Sequence, residues 1–388
     1  MQRYTLLAKT LFGIEQILAE ELKQLGTNNI QIKNRAVEFV GDKAMLYKAN
    51  LHLRTAMSIL KPIEKFYAHD PDRLYRRAKR IEWDLYFRAN KTILIDCVSF
   101  GDNFPHSQFA ALRLKDAIVD YFRSKHGTRP SVDKNNPDIR INLHIIDKQC
   151  SISLNSSGQN LNKRGYRTEQ TEAPLNEVLA AGLVLYAGMQ NHPVIHDPMS
   201  GSGTLAIEAA MAAANIAPGL KRKFSFEHWN DFDPELWKDI KTMAVKSKQP
   251  PQSEIIASDL DMKATNVCLR NAERAGVEQY MHIKNMDFFQ SYPKAEGGLL
   301  IMNPPYGERL EHDKNITDFY NKIGDHLKQH YQGWEAWVFS GNIPALKHLG
   351  LKPSTKTKFF NGPMECRLHQ YQLYTGSKKA KKNPSADT

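Results

Sequence analysis

The sequence predicts an α/β protein in which a smaller α+β half precedes a larger half built on a parallel sheet. Predicted strands and helices alternate over residues 166–376, as they do where helices cover the faces of such a sheet. Charge divides the chain at the same place. Residues 1–165 contain 27 basic and 17 acidic residues, a net charge of +10, whereas residues 166–388 contain 26 and 25, a net charge of +1. A chain of 388 residues can form two or three domains that each bury a core.

Residues 1–63 are predicted to form the first α+β unit. Residues 4–7 and the alternating residues 37–40 predict strands, and residues 44–50 begin a helix. An earlier helix, over residues 13–25, is indicated by apolar side chains at helical spacing, which are Ile14, Ile17, Leu18, Leu22 and Leu25. We expect Gly26 to end that helix.

Residues 64–160 are predicted to form a second unit that begins with a basic helix over residues 72–81. Its buried stripe would consist of Leu74, Ala78, Ile81 and Leu85. Because the excess positive charge lies in this half, a polyanion such as RNA would be attracted through phosphate neutralisation and counterion release. The predicted RNA contacts are the basic side chains that face away from the stripe: Arg73, Arg76, Arg77, Lys79 and Arg80. The alternative is that these side chains are only solvated. Further elements are predicted over residues 92–97 (strand), 107–123 (helix), 139–146 (strand) and 150–154 (strand).

Several classes of protein are excluded by composition. Apolar stretches are interrupted before they reach the length that crosses a bilayer, and residues 1–4 lack the organisation of a signal peptide. We therefore expect a soluble cytoplasmic protein with no membrane partner. The cysteines are far apart and form no CxxC pair, so neither a disulfide framework nor a metal site is predicted: Cys97, Cys150, Cys268 and Cys366.

Residues 161–376 are predicted to form the parallel α/β domain, and residues 377–388 a disordered basic tail without an apolar anchor. The predicted strands are residues 193–197, 254–259, 281–284, 298–302 and 335–340. The predicted helices are residues 175–190, 203–215 and 262–275.

A glycine-containing loop follows the first of these strands and opens a helix. It consists of Asp197-Pro198-Met199-Ser200-Gly201-Ser202-Gly203-Thr204. Two glycines let the backbone come close to a ligand, and the helix N-terminus offers unpaired amides with a partial positive charge. These features suit the methionine carboxylate of a nucleoside cofactor. The motif is neither a complete GxGxxG nor a P-loop, so an ordinary strand-to-helix turn remains open.

Acidic side chains end the next two predicted strands. Asp259 lies where a dinucleotide-type fold places its ribose acceptor, and Asp261 follows two residues later. Asp287 follows the third strand and could accept the adenine amino group. Either acid alone is more typical of a helix cap. Their positions at successive strand ends after a glycine loop favour cofactor binding.

The most specific signal is an apolar strand that runs into Asn303-Pro304-Pro305-Tyr306. Both prolines lack N–H donors, so this turn presents mainly carbonyl acceptors, which suit an amine. A planar exocyclic amine is a poor nucleophile because its lone pair is delocalised. Acceptors from Asn303 and the Pro304 carbonyl would hold the two N–H bonds and favour the pyramidal geometry that attack requires, while Tyr306 stacks on the extruded base. A proline-rich turn without function is the alternative.

Together these motifs resemble those of class I, Rossmann-like amino-methyltransferases. Three further stretches, residues 163–167, 173–177 and 361–367, resemble the bacterial RlmL-type 23S rRNA guanine-N2 methyltransferases. The resemblance covers residues 1 to about 375. It implies a ferredoxin-like segment over residues 1–63, a THUMP RNA-binding domain over residues 64–160, and S-adenosylmethionine as cofactor.

The family pattern also implies site residues. Catalysis would fall to Asn303, Pro304, Pro305 and Tyr306. The implied cofactor contacts are Ala173, Pro174, Leu175, Asp197, Pro198, Ser200, Gly201, Ser202, Gly203, Thr204, Asp259, Leu260, Asp287 and Asn303. Further predicted RNA contacts are Lys163, Arg164 and Arg167. Ser200 departs from the cysteine common in relatives, which should matter little because the backbone binds. Some relatives carry a second fused methyltransferase, so we expect this chain to make one modification.

The leading interpretation is methylation of guanine N2 in 23S rRNA, either naked or in a large-subunit assembly intermediate. A tRNA guanine-N2 methyltransferase shares both THUMP and Asn-Pro-Pro-Tyr and is poorly separated from it by sequence. DNA adenine-N6 and protein glutamine methyltransferases share the tetrapeptide, but neither explains the basic first half. A catalytically inactive RNA-binding assembly factor is the alternative from another class, and the intact motifs argue against it.

Overall fold

A computed structural model describes residues 3–27, 29–167, 175–306 and 313–374. These residues group into two compact units. The first unit comprises Met1–Arg164 together with Ala217–Ser247, and the second comprises Gly165–Ile216 together with Lys248–Thr388. The predicted tail, residues 377–388, and the predicted cofactor contacts Ala173 and Pro174 lie outside the described residues.

Helices and strands of both units are numbered in chain order. The helices are α1 (Glu15–Gln24), α2 (Lys43–His52), α3 (Pro71–Ala78), α4 (Ser107–His126), α5 (Glu177–Tyr186), α6 (Thr204–Ala213), α7 (Pro234–Lys246), α8 (Met262–Ala275) and α9 (Asp313–His330). The strands are β1 (Tyr4–Lys9), β2 (Ile30–Lys33), β3 (Ala36–Gly41), β4 (Ser58–Tyr67), β5 (Thr92–Phe100), β6 (Ser131–Val132), β7 (Ile139–Ile146), β8 (Gln149–Asn155), β9 (Val194–Asp197), β10 (Glu254–Asp259), β11 (Met281–Asn285), β12 (Leu299–Met302), β13 (Glu335–Ser340), β14 (Thr355–Asn361) and β15 (Met364–Gln372).

The first unit is built on one eight-stranded sheet in the order β2-β3-β1-β4-β8-β7-β5-β6. The antiparallel pairing of β4 with β8 joins the strands of the first 63 residues to those that follow, through a register shift between Pro62 and Glu64. Buried side chains from both parts, such as Phe39 and Ile141, belong to one apolar cluster. The two predicted α+β units therefore share a sheet and a core.

The basic helix is α3, and its orientation confirms the predicted stripe in part. Asp70 caps its N-terminus by accepting a hydrogen bond from Arg73 N at 2.7 Å. Leu74 and Ala78 are fully buried. Leu85 was predicted to join them and is instead 63% exposed, because α3 ends at Ala78 and the chain turns before reaching it.

Residues 217–247 lie in sequence between two segments of the second unit, but they pack within the first unit. The Tyr47 ring of α2 stacks on the Phe226 ring with centroids 4.4 Å apart, and Trp237 of α7 meets Phe226 edge-on at 5.1 Å. Backbone hydrogen bonds fix the segment to both parts of the unit, from Gly219 N to the Leu51 carbonyl and from Phe226 N to the Ser156 carbonyl. This excursion from the α/β domain was not predicted.

The second unit is built on a seven-stranded sheet in the order β11-β10-β9-β12-β13-β15-β14. The five strands from β11 to β13 are parallel, as predicted. β15 runs antiparallel to both β13 and β14, so a hairpin forms the other edge. The prediction of a parallel sheet is thus correct for its central strands and wrong for this edge.

Within the described residues, no helix has both the length and the apolar character to span a bilayer.

Candidate active site

The predicted site residues of the second unit follow strands that are neighbours in the sheet. The order β11-β10-β9-β12 places the loops that carry Asp287, Asp259, Asp197 and Asn303 beside one another. Because these strands are parallel, all four loops leave the same, carboxyl edge. That edge is where open α/β sheets bind ligands.

The glycine loop between β9 and α6 has a left-handed backbone at both glycines and ends at a helix N-terminus without a side-chain cap. Gly201 and Gly203 have φ of 52° and 83°, a left-handed backbone that favours glycine. The amide of Ser200 donates to the Ser258 carbonyl at 3.0 Å, which ties the loop to β10. α6 begins at Thr204 without a side-chain cap. Its first amides therefore lack the side-chain partner that a serine, threonine or aspartate at the cap position would supply.

The two glycines face different surroundings. A Cβ at Gly203 would lie 2.3 Å from Cys268 Sγ of α8, whereas a Cβ at Gly201 would meet nothing within 4 Å. Asn271, also on α8, donates from Nδ2 to the Ser202 carbonyl at 3.0 Å. α8 thus supports the loop on one side and leaves open space at Gly201.

Asp197 ends β9 and is 2% exposed. Burial raises the pKa of its carboxyl well above the ordinary value, and the neighbouring charge of Asp259 raises that pKa further. Its Oδ1 atom has no hydrogen-bond partner in the described part of the chain. A buried carboxyl oxygen without a partner is costly, so Asp197 is suited to a ligand group that donates a hydrogen bond.

Asp259, at the end of β10, joins the glycine loop directly. Its Oδ2 accepts a hydrogen bond from Gly201 N at 2.8 Å, and its Oδ1 accepts one from Asp261 N at 2.9 Å. The next residue, Leu260, is 71% exposed. Asn285 of β11 holds this turn by donating to the carbonyls of Asp259 and Leu260. The predicted ribose acceptor therefore also orders the loop.

Asp287 is half-buried and caps the short turn that follows β11. Its Oδ1 accepts a hydrogen bond from Phe289 N at 3.0 Å. This is the capping role that the sequence analysis gave as the alternative to cofactor binding. The structure brings Asp287 to the carboxyl edge of the sheet, and its contact with adenine stays a prediction.

Asn303, Pro304, Pro305 and Tyr306 leave β12 at the centre of that edge. The Tyr306 hydroxyl donates to Asn303 Oδ1 at 2.6 Å. Burial raises the pKa of Tyr306 above its ordinary value, so the phenol stays protonated. Tyr306 was predicted to stack on a base, and in this structure its hydroxyl shares the oxygen predicted to hold the target amine.

Residues beyond the tetrapeptide position Tyr306, and the sequence analysis did not identify them as site residues. Asn342 Nδ2 donates to the Tyr306 carbonyl at 2.9 Å. A Cβ at Gly341 would lie 3.1 Å from the Tyr306 ring and 2.4 Å from Met364 Sδ. Gly341 and Asn342 directly follow β13, so the strand-end rule that selected Asp259 would have found them. Met364 lies in residues 361–367, a stretch that the sequence analysis included only through its resemblance to the family.

Arg167 does not face solvent as an RNA contact would. Its guanidinium donates to Thr204 Oγ1 at 2.6 Å and to the Leu175 carbonyl at 2.9 Å, and it lies 3.3 Å from Glu177 Oε1. It therefore fastens the predicted cofactor residues Leu175 and Thr204 to one another. We correct its predicted role from RNA contact to support of the glycine loop.

Arg164 is 4% exposed, and its guanidinium donates to the carbonyls of Leu161 and Arg54. Because a phosphate cannot reach a side chain so deeply buried, the prediction that Arg164 contacts RNA is also wrong. Lys163 is exposed.

On α3 and in the two residues after it, Lys79 is half-buried and the other four predicted RNA contacts are exposed: Arg73, Arg76, Arg77 and Arg80. Arg77 lies 3.5 Å from Glu64, with both side chains substantially exposed, so this ion pair contributes little stability. The described residues hold no group of three or more His, Cys, Asp or Glu side chains that could bind a metal ion.

Comparison with known proteins identifies the family and the domains of the chain. Residues 164–370 match the family described as RMKL-like, methyltransferase domain. The chain belongs to this family. Residues 68–155 match the THUMP domain, and residues 5–60 match the RlmL ferredoxin-like domain.

Named relatives of the family cover almost the whole chain. A candidate RNA methyltransferase of Synechocystis, slr0064, is 39% identical over 93% of this chain and 95% of its own length. The ribosomal RNA large subunit methyltransferase K/L of Syntrophotalea carbinolica is 38% identical over 93% of this chain. The chain spans 52% of that K/L protein.

Solved structures of other proteins share the fold. SMU.472, a candidate methyltransferase crystallised with S-adenosylhomocysteine (SAH), has a TM-score of 0.87 and 28% identity over 97% of this chain and 100% of its own. TrmN of Thermus thermophilus, at 18% identity and a TM-score of 0.70 over 96% of this chain and 100% of its own, shows the fold alone.

S-adenosylmethionine is the cofactor of this methyltransferase family, and the site fits it. The unpartnered Asp197 Oδ1 suits a cationic donor, and the open space at Gly201 lets a ligand approach the backbone. The uncapped N-terminus of α6 suits a carboxylate.

Proposed function

We propose that this chain transfers a methyl group from S-adenosylmethionine to the exocyclic N2 of a guanine in 23S rRNA. The observation that carries the proposal is that β12 pairs in parallel with β9. This pairing brings the turn Asn303–Tyr306 beside the loop that begins at Asp197. Strands in a sheet lie about 4.8 Å apart, so an amine acceptor and a cofactor loop leave neighbouring strands at one edge.

The chain's own residues position the amine. Asn303 Oδ1 and the Pro304 carbonyl accept hydrogen bonds from the two N–H groups, which aligns the nitrogen lone pair with the methyl group. Bound S-adenosylmethionine supplies an electrophilic sulfonium methyl. No group in the tetrapeptide acts as a strong base, because the raised pKa of Tyr306 keeps its phenol protonated.

Cofactor binding is assigned to three groups of residues. Asp197 accepts from the ammonium group, the amides around Gly201 and Gly203 surround the carboxylate, and Asp259 accepts from the ribose hydroxyls. Support comes from the orphan Oδ1 of Asp197 and from the bond between Asp259 and Gly201 N, which joins the ribose acceptor to the loop. Ala173, Pro174, Leu175, Leu260 and Asp287 complete the proposed set.

The RNA class rests on the relatives. Several K/L proteins are named for the ribosomal large subunit, among them that of Psychromonas ingrahamii, 39% identical over 94% of this chain. The THUMP match and the net charge of +10 over residues 1–165 support an RNA substrate. The proposed substrate is 23S rRNA, either naked or in a large-subunit assembly intermediate, and the proposed place of action is the cytoplasm.

The test uses unmodified transcripts. Purified protein, radiolabelled S-adenosylmethionine and transcribed 23S rRNA or tRNA are incubated, and the RNA is digested to nucleosides for mass spectrometry. We expect N2-methylguanosine from 23S rRNA and none with the Asn303→Ala variant. N6-methyladenosine as the product would refute the target base, and labelling of tRNA alone would favour a tRNA methyltransferase.

A further inference from the structure

An exposed row of side chains crosses four strands of the first unit's sheet. The register pairs Tyr67 of β4 with Gln149 of β8. It continues from Gln149 to Ile146 of β7, and from Ile146 to Phe100 of β5. Side chains of register partners lie next to one another on one face. Three strand spacings of about 4.8 Å separate the ends of the row, so Tyr67 and Phe100 lie about 14 Å apart.

The row consists of three aromatic or aliphatic side chains that are open to solvent and the half-buried Gln149. Tyr67 is 62% exposed, Phe100 58% and Ile146 49%. Gln149 Nε2 donates to the Tyr67 hydroxyl at 3.3 Å, which holds that ring at the sheet. Adjacent exposed apolar side chains, unlike singly scattered ones, are typical of interaction sites.

A second row lies two residues further along the same strands. It consists of Lys65, Ser151, His144 and Val98, in strand order β4, β8, β7 and β5. The His144 ring meets the Phe100 ring edge-on, with centroids 5.9 Å apart. Lys65 is exposed. The two rows together, here named the aromatic platform, combine flat rings with an ammonium group and polar side chains.

We propose that the aromatic platform binds a single-stranded segment of the RNA substrate, with bases stacked on Tyr67 and Phe100 and a phosphate held by Lys65. This inference rests on the proposed function and assigns its RNA a second contact. Rings about 14 Å apart on a sheet accommodate two or three successive bases, which is how sheet surfaces recognise single-stranded RNA.

The charge of residues 1–165 as a whole favours RNA over a neutral protein partner. Residues 1–165, which contain the aromatic platform, have a net charge of +10. A polyanion is attracted by that field, and every base offers a flat face to an exposed ring. An apolar protein surface would gain from the rings but not from the charge.

The test separates stacking from charge with two probes. Fluorescence anisotropy of the full-length protein would measure the affinity for an eight-nucleotide oligoadenylate and for an abasic oligomer of the same length. Tyr67→Ala and Phe100→Ala should each weaken oligoadenylate binding about tenfold, equivalent to about 1.4 kcal/mol. Neither variant should change binding of the abasic oligomer, and Tyr67→Phe should retain most of the affinity.

Two further variants serve as controls. Met243→Ala removes a side chain of the same unit that is 66% exposed and outside the aromatic platform, and it should leave both affinities unchanged. Lys65→Met should weaken binding of both probes and reduce the log-log salt slope by about 0.7. Thermal unfolding followed by circular dichroism confirms that the first unit of each variant is folded.

Several outcomes overturn the proposal. Equal losses on both probes would mean that the rings do not stack on bases. Ring variants that convert a dimer to a monomer in light scattering, with unchanged oligoadenylate affinity, would assign the face to a second copy of the chain. If the wild type methylates rRNA while the ring variants bind oligoadenylate normally, the aromatic platform proposal alone fails. If the wild type neither binds nor methylates RNA, the proposed function fails as well.

Discussion

At the scale of single residues, one oxygen atom is the acceptor of two hydrogen bonds, one observed and one proposed. Asn303 Oδ1 accepts a hydrogen bond from the Tyr306 hydroxyl and is also the proposed acceptor for the target amine. An amide oxygen has two lone pairs, so both bonds can coexist only if the incoming amine approaches from the side that Tyr306 leaves open. Tyr306 therefore restricts the direction from which a base can enter.

Asn303→Ala should reduce methyl transfer by on the order of a hundredfold or more, because an acceptor used in the transition state is worth about 3 kcal/mol. Cofactor affinity should stay within a few-fold of wild type, since Asn303 acts mainly on the amine. Single-turnover rates and calorimetry measure the two effects. Turnover near the wild-type rate would show that another group holds the amine.

Arg167→Met should weaken cofactor binding more than it weakens RNA binding. The guanidinium holds Leu175 and Thr204 together, and hydrogen bonds to a charged group are worth about 1.5–3 kcal/mol. Lys163→Met is the matched control, because Lys163 is exposed and should affect RNA affinity alone. The corrected role of Arg167 is wrong if both variants lose RNA affinity to the same extent and keep cofactor affinity.

At the scale of elements, the glycine loop and α8 form one packed unit. Gly203→Ala should destabilise the protein by about 1–3 kcal/mol more than Gly201→Ala. Both substitutions impose a left-handed backbone on alanine, but only the Cβ at Gly203 meets Cys268 Sγ. Denaturant unfolding measures the difference, and Cys268→Ala in the Gly203→Ala background should recover part of it.

Gly201→Ala should instead reduce cofactor affinity, because its Cβ enters the open space assigned to the ligand. Equal stability losses in the two single variants would contradict this packing.

Strand β9 carries a histidine whose ionisation links stability to pH. Burial lowers the pKa of His196 to about 4, and its Nε2 lies 2.9 Å from Ser258 Oγ. Between pH 6.5 and 4 the unfolded chain binds a proton at this residue that the folded chain does not. Stability should therefore fall as pH falls through this window, by up to about 3 kcal/mol.

The matched variant is His196→Gln, which keeps a polar partner for Ser258 and does not titrate. Its unfolding free energy should depend less on pH between 6.5 and 4 than that of the wild type. His52 and His369, whose pKa values burial also lowers to about 4, are present in both proteins and cancel. Parallel pH profiles would exclude His196 as a source of the dependence.

The elements that could be predicted from the sequence are those marked by a pattern of neighbouring residues. β9, β10, β12 and β13 are short, largely apolar runs that end in a polar residue or are followed by one. Both these strands and the candidate site at their carboxyl ends could therefore be predicted from the pattern. The β14–β15 hairpin was not predicted, because its alternating polar residues resemble loop sequence. The burial of Arg164 and Arg167 was also missed, because each guanidinium bonds a residue distant in sequence, Arg54 for Arg164 and Thr204 for Arg167.

At the scale of the whole molecule, residues 217–247 decide which fragments can fold. The two ends of this segment are close in the second unit, where Gln249 N donates to the Ala214 carbonyl at 3.1 Å. Its own core, including Phe226 and Trp237, packs in the first unit. A fragment that begins at residue 161 would expose these aromatic side chains.

We therefore expect the fragment of residues 161–374 to aggregate. The same fragment with residues 217–247 replaced by a short glycine-serine linker should remain monomeric and bind S-adenosylhomocysteine. Lacking the half with a net charge of +10, it should bind RNA with lower affinity and a flatter salt dependence than the full chain. Light scattering, calorimetry and anisotropy measure these properties, and equal RNA affinities would mean that residues 1–165 are not the RNA-binding half.

The segment 217–247 also sets the order in which the protein can mature on the ribosome. Synthesis is vectorial, and domains generally fold N-terminal first as they emerge. Here the first unit must wait for α7, and in that interval residues 165–216 of the second unit have already left the exit tunnel. Neither core is complete when the other begins to form, so the nascent chain carries two unfinished apolar surfaces at once. A chaperone that shields the emerging chain until residue 247 has been added would protect both.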